Sequence, residues 1–394
     1  MACPERSRRV SFQEARFIAL EAVRPLPSEE EALPLALGRV LAEAVIADRD
    51  LPPSDCSAVD GFAIRLSDAA SPEHLQVIGE AFAGGGRPEQ LREGEAIRIT
   101  TGAILPEGAE AVVKEEEVAF DGDRLLLLRR PLRGENVRRS GREVPKGACV
   151  LSEGTPLGPL EIGRLSSVGR SKVAVFRRPK VAVLAIGDEL RELEEADPTK
   201  DLVASNSYML AACLVESGAL PVRLGVARDD LLEVSLKLTE GLHYDAVVTA
   251  GGSGRGEKDL VRETLKAGGC EVLFDRVPVR PGGSSALALK GGVPIFCLPG
   301  GPGAAFLAFE AFARPAVRRM LGFHFPFRPR VKAVAVEGIP KEEGITLLIL
   351  GRVEWERGRC CFARTREKAN AVAILPEEVR GVDRREEVEV ELLL

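Results

Sequence analysis

The sequence predicts a multi-domain α/β plus β protein. Its centre is a doubly wound, mostly parallel α/β domain at about 178–328. Three observations point there. Between those positions short apolar runs alternate with helical patterns. On either side the texture turns to short strands and turns. The chain has 394 residues, more than one domain at the usual ~100–200 residues each.

The first element is a helix. Ser11 with Glu14 three residues on reads as a capping box, and Ala15, Ile18, Ala19, Ala22 and Val23 share one face. Pro25 and Pro27 stop it. A second amphipathic stretch covers 35–47. From 48 to 145 the pattern is β-rich, opened by Pro52 and Pro53 and broken by the loop Gly84-Gly85-Gly86. Around Asp121-Gly122 the apolar flanks predict a hairpin.

From 178 the rhythm changes. In KVAVLAI (180–186) every residue after Lys180 is apolar, as in a strand buried on both faces. Helical patterns follow at 207–217, 230–241, 258–267 and 302–320, with strands at 221–226, 245–250 and 293–298. Right-handed βαβ units in a mostly parallel sheet fit this order. About 330–394 returns to short alternating strands, a small sandwich or barrel.

Composition narrows the function. Hydrophobic residues make up 45% and charged residues 29%, an ordinary globular balance. A net charge of −6 lacks the basic footprint of a nucleic-acid binder. Eight cysteines without a CxxC pair, and three histidines, argue against zinc and against a disulfide scaffold. No apolar run reaches the ~18 residues of a membrane span, and MACPERSRRV carries no signal-peptide core. A cytoplasmic protein without nucleic-acid or membrane partners is expected.

In open parallel sheets, ligands sit beyond the carboxyl ends of the strands. Three successive strand ends there carry acids: Asp188 and Glu189, Asp229 and Asp230, and Asp259. Carboxylates gathered at one site need a cation, and oxygen ligands without histidine point to Mg2+. A single such Asp is also a common helix cap. Residues 251–256, with Gly251, Gly252, Ser253 and Gly254, offer backbone N–H groups to a phosphate or oxyanion. The P-loop spacing is absent. Gly300-Gly301-Pro302 starts another helix, and Arg276 and Arg280 flank the region, either as anion clamps or as solvated surface arginines. These residues alone support a Mg2+-dependent enzyme acting on a phosphorylated or nucleotide-like ligand.

Several segments in order resemble the molybdopterin molybdenumtransferase family, the MoeA/gephyrin E-domain family. Asp55-Cys56-Ser57-Ala58-Val59-Asp60-Gly61-Phe62-Ala63 is similar to its DxSAMDGYA signature. The stretch 94–113, GEAIRITTGAILPEGAEAVV, is similar to GExxRIMTGAxxPxGADAVV. Glu135-Asn136-Val137-Arg138, Gly187-Asp188-Glu189-Leu190, Ser205-Asn206-Ser207, Arg228-Asp229-Asp230, the loop ending at Asp259 and Leu298-Pro299-Gly300 follow.

The resemblance implies four domains. They are an elongated N-terminal domain (1–47 and 146–177), an inserted β-rich domain (48–145), an α/β molybdopterin-binding domain (178–328) and a C-terminal β-barrel (329–394). It implies a homodimer whose cleft combines the α/β domain with Asp60 and Thr101 of the other subunit. Other cofactor-synthesis proteins are possible partners. It implies that adenylylated molybdopterin and molybdate give molybdenum cofactor and AMP, with Mg2+ on Asp188, Glu189, Asp229 or Asp259. Ser205, Asn206, Ser207, the glycine loops, Arg276, Arg280, Pro281, Gly282, Pro299, Gly300, Gly301 and Pro302 would hold the substrates. Three loops depart from the family pattern: GGSGRG for GGVSxG, PGGS for PGKP and LPGGPG for LPGNPV. They leave a second reading, a paralogue that binds a pterin or protein partner without turnover.

Overall fold

A computed structural model describes residues 10–70, 74–197, 199–252, 260–356 and 358–393. At its centre is a six-stranded sheet ordered Leu220–Ala227, Lys180–Ile186, Ala246–Gly251, Val293–Leu298, Ala286–Lys290, Glu271–Phe274. The first four strands run parallel; Ala286–Lys290 pairs antiparallel to the fourth, and Glu271–Phe274 antiparallel to it in turn. The doubly wound, mostly parallel expectation holds. The continuous apolar run at 180–186 has a direct cause. Val181 and Val183 enter the core on one face, while Ala182, Leu184 and Ile186 enter the core on the other. With period-two side chains, covering both faces demands apolar residues at every position. The antiparallel pair was not foreseen; its strands have four and five residues and lack a distinctive run.

Helices Ser205–Ser217, Leu231–Gly241 and Leu260–Ala267 cover the sheet. The helical pattern at 302–320 holds, but Pro302–Ala308 and Arg314–Met320 are joined by a π-helical segment, Phe309–Ala313.

The helix Phe12–Glu21 carries the predicted capping box: Glu14 N–H donates to Ser11 Oγ, and Ser11 N–H to Glu14 Oε2. Its buried face joins the α/β core, with the Phe12 ring 5.8 Å from Phe312. Arg16 reaches the far end of the chain, its Nη2 2.8 Å from Glu391 Oε1, both groups buried. The stretch 35–47 forms no α-helix. After the 3-10 turn Leu33–Leu35 the chain reverses at Gly38 (φ +75°), a conformation that stops helix growth. It then pairs as Val45–Ile46 with Cys149–Leu151 and packs in a separate core with Leu165 and Val175.

In the β-rich region six strands pair in the order Ala111–Lys114, Gly61–Ile64, Glu95–Ile99, Leu75–Ala81, Arg124–Leu127, Val118–Asp121. The last two form the foreseen hairpin, turning through Gly122 at φ +62°. Near the C-terminus Thr346–Glu356, Arg359–Arg364, Arg330–Ala335, Glu387–Leu392 and Ala371–Leu375 close into a five-stranded barrel. Val279–Arg280 adds to its edge, tying barrel to α/β layer. Cys56, Cys213 and Cys297 are buried, whereas Cys149 is exposed. Among the described residues no helix is long and apolar enough to cross a membrane.

Candidate active site

The winding direction reverses at Lys180–Ile186. The next strand in sequence, Leu220–Ala227, pairs on one side of it, and the one after, Ala246–Gly251, on the other. A crevice opens outside the carboxyl ends at such a reversal. Here it is a cleft of about 590 Å³, floored by Ile186, Gly187, Gly251 and Gly252 and walled by Leu190, Leu202 and Val203. The floor depends on glycine. A Cβ on Gly251 (φ +98°) would lie 2.1 Å from Ile186 O, and one on Gly252 (φ +65°) 2.8 Å from Val261 Cγ2.

Of the foreseen acids, Glu189 and Asp229 line this cleft. Glu189 folds back over Gly187, where a Cβ would stand 2.8 Å from its Oε2. Asp188 plays a different part: its Oδ1 accepts from Asp229 N–H at 3.0 Å, bracing two strand ends together. Asp230 is the N-cap of Leu231–Gly241, accepting from the N–H groups of Leu232 and Glu233. Ser253, Gly254 and Asp259 lie outside the described residues. Among the described residues no group of three or more His, Cys, Asp or Glu is arranged to hold a metal. The donors present, Glu189 and Asp229, are oxygen donors of the kind a hard cation takes.

Ser205 and Asn206 enter the cleft from the first turn of their helix. Ser207 points inward instead: it is fully buried and its hydroxyl donates to Ala204 O at 2.9 Å. Asn206 Nδ2 donates to Gly300 O at 2.6 Å, while its Oδ1 is buried without a hydrogen-bond partner among the described residues. Gly300 and Pro302 close this side of the cleft; Gly301 is the N-cap and Pro302 the first residue of the next helix.

On the other side of the 299–302 turn lies a second cleft, about 690 Å³. Arg276, Arg280, Pro281, Gly282 and Pro299 line it, with Arg262, which the sequence reading missed. Arg262 donates to Asp275 O. Arg280 Nη1 is 3.9 Å from Glu342 Oε2, both side chains exposed. Part of the wall comes from distant parts of the chain: Val10 and Ser11 ahead of the first helix, and Ile345 and Glu377 beside the barrel strands. No local signal marks these as site residues.

Asp60 and Thr101 belong to the β-rich region and line neither cleft. They meet each other: Asp60 Oδ1 accepts from Thr101 N–H at 2.6 Å and from its hydroxyl at 3.0 Å. The N–H bond first, then the hydroxyl, holds the Asp60 carboxyl below the usual range. The pair is exposed, an ordered charge facing outward.

Residues 10–169 match a family model described as "MoeA N-terminal region (domain I and II)", and residues 182–319 one described as "Probable molybdopterin binding domain". A molybdopterin molybdenumtransferase of Bacillus subtilis is 32% identical, over 93% of this chain and 90% of its own length. Its Staphylococcus aureus counterpart is 34% identical, over 82% and 79%. A crystal structure of a molybdopterin biosynthesis MoeA protein from Pyrococcus horikoshii superimposes with a TM-score of 0.84 at 29% identity. It covers 98% of this chain and 100% of that one.

Proposed function

This chain belongs to the molybdopterin molybdenumtransferase (MoeA) family of molybdenum cofactor biosynthesis, and on that premise we propose that it inserts molybdate into adenylylated molybdopterin with release of AMP. One observation carries the reading. A cleft rimmed by carboxylates and glycine backbone, and a cleft rimmed by arginines, share a single wall, the 299–302 turn.

The division of labour follows from charge. Arg276 and Arg280, with Arg262 beside them, suit the dianionic oxoanion, since guanidinium groups present paired donors to tetrahedral oxygens. The first cleft suits the adenylyl linkage. Its backbone at Gly251 and Gly252 approaches a ligand without side-chain obstruction, and Leu190, Leu202 and Val203 offer apolar surface to a ring. A Mg2+ ion held by Glu189 and Asp229, with Asp188 and Asp259 as further candidates, would neutralise charge developing on the phosphate oxygens. Asp188 would act through Asp229, keeping its backbone in place. No protein cysteine is needed, because a dithiolene supplies sulfur to the metal.

Asp60 and Thr101 complete the reading. The hydrogen-bonded pair faces outward from a region that lines neither cleft. That placement supports a homodimer in which the pair reaches the partner's cleft. The non-catalytic scaffold reading is not favoured, because the relatives above are named as transferases.

The test is AMP release by the purified protein given adenylylated molybdopterin, Mg2+ and molybdate. Release that requires both molybdate and Mg2+ is expected. No AMP, beside an active control enzyme, overturns the reading.

A further inference from the structure

We infer that Asn206 is a positioning residue that couples the two clefts through the 299–302 turn, so that occupancy of one alters affinity in the other. The inference rests on the functional reading above.

The turn is thin. Pro299 faces the arginine cleft, whereas Gly300 and Pro302 face the carboxylate cleft. Gly300 also sits directly on the end of the central strand, where a Cβ would be 3.5 Å from Gly251 Cα. A shift of this peptide therefore moves a wall of both sites at once. Asn206 controls that peptide. Its Nδ2 donates to Gly300 O at 2.6 Å, and it stands in the lining of the carboxylate cleft. Only the NH2 end of the amide can meet a carbonyl oxygen, so this contact sets the side chain's orientation.

The other end of the amide is unsatisfied: Asn206 Oδ1 is buried and has no hydrogen-bond partner among the described residues. A buried acceptor without a donor is unfavourable, and a rearrangement that supplies one is favoured. The Asn206–Gly300 arrangement is therefore poised to change when a ligand enters beside it. Ligands bias a two-state element only through such differential contacts.

The experiment is calorimetry on the full chain. Molybdate is titrated with and without saturating AMP and Mg2+, in wild type, Asn206→Ala and Asn206→Asp, after matched thermal unfolding curves. Asp keeps the shape of Asn but cannot donate to Gly300 O. In wild type AMP should change the molybdate Kd by at least ~5-fold, the lower end of usual coupling. In both variants the ratio should fall below about twofold, toward the value of one that uncoupled sites give. A uniform loss of affinity, as from general damage or the added Asp charge, cancels in this ratio. Equal coupling in wild type and variants, or none in wild type, overturns the inference while leaving the functional reading intact. Failure of AMP and molybdate to bind at all overturns the functional reading itself, and this inference with it.

Discussion

The two clefts on either side of the 299–302 turn are built in different ways. The carboxylate cleft belongs to one layer of structure. Its residues come from the carboxyl ends of parallel strands, the short ladder of Leu190–Arg191 with Leu202–Val203, and the first turns of helices, all between 186 and 302. The arginine cleft is a junction. It takes Val10 and Ser11, a run from 262 to 304, and Ile345 and Glu377. The first should therefore survive whatever preserves the sheet, while the second depends on how the N-terminal helix and barrel dock.

That contrast can be broken most forcefully at Glu391. Its carboxylate is the buried partner of Arg16, whose Nε and Nη1 have no hydrogen-bond partner among the described residues. Glu391→Ala leaves a buried guanidinium uncompensated, a loss of about 3–5 kcal/mol. Denaturant unfolding should show it. Molybdate binding should weaken far more than AMP binding, because Val10, Ser11 and Glu377 stand on the disturbed junction. Equal losses for both ligands would remove the distinction between the clefts.

Asp229→Asn addresses the other cleft. The backbone N–H that meets Asp188 is kept, so the fold should hold, but an electrostatic contribution to the transition state is lost. Turnover should drop by roughly 10²–10³-fold, as when other preorganised groups are removed, with the molybdate Kd almost unchanged. Full AMP release from this variant would take Asp229 out of the mechanism.

Arg276→Ala sharpens the same comparison from the opposite side. Losing one charge-assisted contact of about 1.5 kcal/mol should raise KM for molybdate about tenfold, with kcat little affected. A kcat effect without a KM effect would place Arg276 with the reacting phosphate instead.

The smallest effect concerns Asp60, which lines neither cleft. Its carboxyl is depressed in the folded protein, so the bonds to Thr101 stabilise the fold above the ordinary carboxylate range. That contribution fades as pH falls through the lowered value. Thr101→Val removes the hydroxyl but keeps the stronger N–H bond. The Asp60 resonance should then titrate somewhat higher, without reaching an ordinary value, when followed by NMR. An unchanged titration would show that the hydroxyl contributes nothing.

Much of the carboxylate cleft was legible along the chain. The α/β rhythm located the strands, and reading the residues after each strand found Glu189, Asp229, Gly251 and Gly300. It worked because the strands are parallel, which brings every carboxyl end to one edge. The same rule could not assign roles among neighbours. Asp230 caps a helix, Asp188 braces a backbone and Ser207 is buried, although each stands one residue from a group that lines the cleft. Those differences come from where each side chain points.

By itself, then, the sequence determined the elements. The capping box at Ser11 and Glu14, the doubly apolar strand at 180–186 and the glycines that permit φ near +98° and +65° are local consequences of residue type. Only the tertiary structure decided that Val10, Arg262, Ile345 and Glu377 share one cavity, and that Asn206 holds Gly300 across 94 residues of chain. Local patterns report which face of an element is apolar. Which distant faces meet is set by the joint packing of all the cores, a property no short segment carries.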